Sequence, residues 1–168
     1  MHSRIYAFQQ TGRGFIIPKV EVEKIPTDIV LDCISVADYV AEMDIDKLDI
    51  EDDMETLSNW GNGKIFNVSK VGKKYFVTVD KNGIFKFVES NCARLRKLMD
   101  DDKNFVHNVF KSFGGIITYK FDDTTDIYIC LDGVILPIFH FIYFYYICLY
   151  KSVGDDSLLL TQLFDYHF

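Results

Sequence analysis

The sequence predicts an α+β fold: a mostly antiparallel sheet with a central β-meander and three to four helices, in one domain spanning residues 1–168. Three observations carry this expectation. Val20 and Val22 alternate with Lys19, Glu21 and Glu23, the period of two of a half-buried strand. Residues 74–80 and 84–88 are rich in β-branched and aromatic side chains and follow breaks, 71–73 and 80–83, with tight-turn chemistry. Residues 29–43 instead repeat apolar side chains at spacings of three and four, which gathers them on one helical face.

Taken in order, residues 4–9 and 15–23 read as strands around Thr11-Gly12-Arg13-Gly14, and Pro26 ends the second. Thr27 or Asp28 caps the helix that follows, whose face is Ile29, Cys33, Val36, Ala37 and Val40; Ser35 is an alternative start. A second short helix is expected around residues 54–57, and Asn59-Trp60-Gly61-Asn62-Gly63 reads as a loop. The meander occupies 64–71, 74–80 and 84–88, with Asn82-Gly83 supplying positive φ at its second turn. Ser90 or Asn91 caps a basic helix through Met99, which carries Arg94, Arg96 and Lys97. Phe105, Val106, Val109, Phe110 and Phe113 define another helix, closed by Gly114-Gly115, and strands return at 116–121 and 126–131.

Residues 133–150 contain no Asp, Glu, Lys or Arg. As a helix, the stretch from Val134 would reach roughly 26 Å, short of the ~30 Å hydrocarbon core of a bilayer. Pro137, His140 and four tyrosines are poor occupants of that core. The favoured expectation is a sheet element buried on both faces; the alternative is a membrane anchor.

Charge is segregated along the chain. The formal net charge is −7, yet residues 28–55 hold eleven acids against Lys47 alone, while residues 64–120 hold twelve bases against five acids. So dense an acidic stretch repels itself and stays in water unless cations or a basic partner neutralise it. It is a poor nucleic-acid surface, since phosphates would be repelled. Neither Asp44 nor Asp49 starts an EF-hand loop, because Leu48, Met54 or Trp60 falls where a ligand or the turn glycine belongs. Lys73, Lys74, Lys81 and Lys86 interleave with Tyr75, Phe76 and Phe85, a pattern that on strands more often solubilises an outer face than stacks bases.

Nothing in the sequence assembles a catalytic or cofactor site. The four histidines and four cysteines have no ligand spacing, no GxGxxG or GxxxxGK[ST] occurs, and the Asp pairs lie in turn-like contexts. His140, between Phe139 and Phe141, reads as a core or interface histidine. Cys33, Cys130 and Cys148 read as reduced, buried thiols. The N-terminus lacks the apolar run of a secretory signal, so the expected compartment is cytoplasmic.

The expectation is therefore a non-enzymatic, acidic binding or inhibitor protein with no cofactor and no metal, neutralising a basic protein partner. A toxin-immunity protein facing a nuclease toxin, or a viral or phage inhibitor, has this profile. The expected partner surface is Asp44, Asp46, Asp49, Glu51, Asp52, Asp53 and Glu55, with Trp60 as aromatic anchor. The alternative is a membrane-associated accessory protein anchored through residues 134–150.

Overall fold

The computed structural model describes residues 2–11, 24–34, 37–101, 127–150 and 157–167. They form β1 (His2–Gln10), α1 (Thr27–Cys33), β2 (Tyr39–Met43), α2 (Glu51–Gly63), β3 (Phe66–Val71), β4 (Lys74–Val79), α3 (Lys81–Asp101), β5 (Ile127–Leu131), β6 (Val134–Pro137), α4 (Ile138–Tyr150) and β7 (Leu158–His167). The seven strands make one sheet in the order β3-β4-β7-β1-β5-β6, with β2 also on β7. Every pairing is antiparallel except β1 with β5. The chain is α+β with a mostly antiparallel sheet, as its pattern predicts.

β7 organises the sheet. β1 runs along one side of it; on the other, β4 takes Leu158 and Leu159 while β2 takes residues 163–167. Thr161 is an extra residue opposite β1, since Ala7 pairs with Gln162 and Phe8 with Leu160. Such a bulge shifts the alternation by one. Leu158, Leu160 and Leu163 consequently share one face, and Phe164 and Tyr166 lie on the other. Thr161 Oγ1 donates to the Ala7 carbonyl at 3.0 Å, giving the bulge a local partner.

Helices cover both faces. Ile50, Met54 and Leu57 around α2, Ile84 of α3 and Ile138, Phe141 and Ile142 of α4 pack with Tyr6, Phe8, Ile129 and Leu160. Val30 and Ile34, at the other face, pack with Ile5, Ala7, Cys130, Phe164 and Tyr166. A sheet apolar on both sides needs this double covering. The segment entering α1 is pinned by the buried Gln162, whose side chain accepts from Ile25 N at 2.8 Å and donates to Ile25 O at 3.2 Å.

Several sequence expectations need correction. The meander stops after two strands, and the β3–β4 hairpin lies at the edge of the sheet rather than its centre. Residues 84–88 belong to α3. Ile84 is buried and Phe87 and Val88 pack beside it, a spacing of three and four that the strand reading overlooked. Asp80 is the N-cap, not a turn residue: its Oδ1 accepts from Gly83 N at 2.9 Å, and its carbonyl accepts from Ile84 N at 3.0 Å. Residues 39–43 are strand β2, not the continuation of a helix, and the expected 59–63 loop is the last turn of α2. Gly61 and Gly63 there adopt φ of +65°, which ends the helix.

The apolar 133–150 segment is divided rather than continuous. Residues 134–137 form edge strand β6, where Pro137 is tolerated at the end, and α4 begins at once. Ile138, Phe141 and Ile142 face the sheet, whereas His140, Tyr143 and Phe144 are exposed, so His140 is not a core histidine. Among the described residues no helix is long and apolar enough to cross a membrane. The expected strands at 15–23 and 116–121 and the helix at 105–113 lie outside the described residues.

Candidate functional site

The acidic run enters through the turn after β2. Asp44 Oδ1 accepts from Asp46 N at 3.3 Å, and Lys47 Nζ lies 2.8 Å from Asp44 Oδ2. The hydrogen bond from Lys47 holds the Asp44 carboxyl below its ordinary value, and the same contact raises Lys47. Asp49 then accepts from Glu51 N at 3.1 Å as the chain turns into α2. Glu51, Asp52 and Asp53 fill the first turn of that helix, where carboxylates complement the helix dipole.

Helical geometry sorts these acids by face. Ile50, Met54 and Leu57 point into the core. At 100° per residue, Asp52, Glu55 and Asn59 lie on the opposite side, and all three are exposed. Asp53 falls on a flank beside β1, where Arg4 Nε lies 2.6 Å from its Oδ1. The same guanidinium reaches Asp165 of β7, so Arg4 joins α2 to two strands. Tyr6, one turn of the pleat further, donates its hydroxyl to the Asp53 carbonyl at 2.7 Å; burial, with Asp53 adding to it, pushes that phenol above its ordinary value.

Much of the anionic stretch is matched by the hairpin. Lys70 of β3 pairs with Glu51, lies 5.0 Å from the Tyr75 ring centroid, and is raised first by its bond to Glu51 and then by Tyr75. Lys74 of β4 is 3.8 Å from Asp46, and Lys24 is 2.7 Å from Glu42. The segregation seen along the sequence is thus partly cancelled in space. Asp49, Asp52 and Glu55 have no ion pair among the described residues.

Trp60 does not stand beside those carboxylates as an anchor. It is half-buried two turns further along α2, with ring centroids 6.1 Å from Phe66 and 5.1 Å from Phe87. The basic-aromatic platform on the hairpin does not form either, since Tyr75 and Phe76 are buried and residues 81–86 are helical. Among the described residues no group of three or more His, Cys, Asp or Glu is placed to hold a metal ion.

Sequence reasoning overlooked Arg4, the cation that removes Asp53 from the free surface. Its signal was a lone charge directly before the apolar run Ile5-Tyr6-Ala7-Phe8, which requires a partner once the strand is central. Cys33, expected to be buried, is exposed at the end of α1, while Cys130 of β5 is buried. Compared with protein-family models, with curated proteins and with solved structures, the chain matches none.

Proposed function

We propose that the protein is a non-enzymatic binding protein of the cytoplasm that captures and neutralises a basic protein partner on the outer face of α2. Asp49, Asp52 and Glu55 supply the charge. What supports the reading is that Asp52 and Glu55 on the outer face of α2 and Asp49 in the turn just before it are exposed, with no ion pair among the described residues, while Asp44, Asp46, Glu51 and Asp53 are engaged by Lys47, Lys74, Lys70 and Arg4. The free part of the site is narrower than the acidic run. Its three charges steer a cationic partner and fix its orientation, contributing more to encounter rate than to affinity. A nuclease toxin, whose nucleic-acid surface is basic, is the kind of target that such a stripe complements.

The test is capture of purified cationic proteins, nucleases included, on immobilised protein across a salt series. The expected result is retention of one partner that weakens steeply with salt and is lost in the Asp49→Asn, Asp52→Asn, Glu55→Gln variant, whose fold is unchanged by circular dichroism. Capture indifferent to salt, or undiminished in that variant, overturns the reading.

A further inference from the structure

Two features of the sequence lie outside the α2 surface and meet in space: the uncharged stretch 133–150 and the bases of α3. Phe87 of α3 and Phe139 of α4 have ring centroids 6.2 Å apart. Both helices send side chains into one core, Ile84 from α3 and Ile138, Phe141 and Ile142 from α4, so their outer faces are contiguous. At 100° per residue, His140, Tyr143 and Phe144 project opposite the buried side of α4; Tyr143 is 56% exposed and Phe144 52%. On α3, Lys86, Arg96 and Lys97 are exposed and have no ion pair among the described residues. Lys86 and Lys97 align within about 20° of each other, about 16 Å apart along the helix axis. Glu89 is the one acid among the exposed α3 side chains described.

We infer that this double face docks on the surface of an anionic lipid bilayer, with α4 lying in the interface and the α3 cations over the headgroups. The apolar segment then lies along the membrane instead of crossing it: α4 is about 20 Å long against a ~30 Å hydrocarbon core. Phenylalanine on an interfacial helix enters the acyl boundary, and tyrosine stays at headgroup level. Lysine and arginine beside them draw the patch to anionic headgroups, an attraction that falls off within a Debye length. The layout of charge separates a lipid surface from the other polyanion a basic, aromatic patch suits. Single-stranded nucleic acid is held where cations follow the backbone past the rings its bases stack on. Here rings and cations are segregated on two helices, an uncharged strip beside a charged one, as at a boundary between lipid and water. The patch shares no residue with Asp49, Asp52 and Glu55, so it stands independently of a protein partner on α2.

Flotation of the full chain with phosphatidylcholine vesicles, with and without phosphatidylglycerol, tests this. The expected result is binding to the anionic vesicles alone, lost at high salt. Each base near such a surface is worth about fivefold in affinity. Lys86→Gln should therefore weaken binding about fivefold, and the Lys86→Gln, Arg96→Gln, Lys97→Gln variant roughly a hundredfold. Lys73→Gln, at the exposed β3–β4 turn, makes the same change in net charge as Lys86→Gln and should leave binding unchanged. The Tyr143→Ser, Phe144→Ser variant should not float; the lysine and arginine variants keep the inference falsifiable if those two substitutions disturb α4. No flotation, equal flotation with neutral vesicles, or equal effects of Lys73→Gln and Lys86→Gln overturns the inference. So does lipid-free dimerisation that the Tyr143→Ser, Phe144→Ser variant loses, because a second copy then covers the patch, or retention on poly-uridine in place of flotation.

Discussion

Arg4 Nε lies 2.6 Å from Asp53 Oδ1, a contact between residues separated by 49 positions that ties the first turn of α2 to β1. Asp165 takes the same guanidinium from β7. The three side chains are 29%, 17% and 25% exposed, intermediate between a surface pair and a buried one. Arg4→Met removes the guanidinium that Asp53 and Asp165 share. The expected loss is roughly 1–3 kcal/mol, between the surface and buried limits for breaking an ion pair. Urea denaturation measures it, and a double-mutant cycle with Asp53→Asn assigns the share due to α2. A loss below the error of extrapolation would show that the triad contributes nothing net.

Gly83 is fixed by close approach. A Cβ there would lie 1.8 Å from the Lys64 carbonyl oxygen, a backbone atom that cannot swing aside. Helix propensity alone would have Gly83→Ala stabilise α3 by up to ~1 kcal/mol. The expected sign is opposite: a loss of about 3 kcal/mol, the upper end of ordinary overpacking costs. A raised Tm for the variant contradicts the packing described.

Asp80 caps α3 through its 2.9 Å bond from Gly83 N. Asp80→Ala is expected to cost about 1 kcal/mol, and Asp80→Ser to recover most of that, because a hydroxyl accepts the same amide proton. Chemical denaturation of the pair checks both. Equal losses in the two variants would mean that the cap bond is unimportant.

Alkaline pH should weaken the fold at Cys130. Its ordinary value of 9.0 is raised to about 11 by burial. Below pH 9 both folded and unfolded chains carry the thiol, and the contribution is fully present. Between 9 and about 11 only the unfolded chain loses the proton, so stability falls with rising pH. Cys130→Ala should flatten that part of the stability profile relative to wild type, whatever its effect at neutral pH. Parallel profiles across this interval would refute the assignment.

Short-range patterning made part of this fold readable. The β3–β4 hairpin follows from Gly72, at φ +62°, between two β-branched and aromatic runs. β1 and β5 were legible from their β-branched and aromatic runs. A helix near residue 27 was one of two starts the sequence offered, but its cap position is Pro26 with no side-chain cap bond, not Thr27 or Asp28. α3 was misread because Ile84, Phe87 and Val88 suit a strand by composition and a helix by spacing; the Asp80 cap and the close pass of Lys64 decide for the helix. β7 went unrecognised because Leu158-Leu159-Leu160 alternates with nothing. A strand buried on both sides has no polar face to announce it.

The amino-acid order by itself determined the class of fold, the hairpin and the excess of carboxylates between residues 28 and 55, since propensity and charge are properties of neighbouring residues. Tertiary structure decided which of those carboxylates remain free. Lys70 reaches Glu51 across 19 positions and Arg4 reaches Asp53 across 49, and such pairings exist only once the sheet brings β3 and β1 beside α2. Coulomb attraction depends on distance in space, to which separation along the chain is no guide.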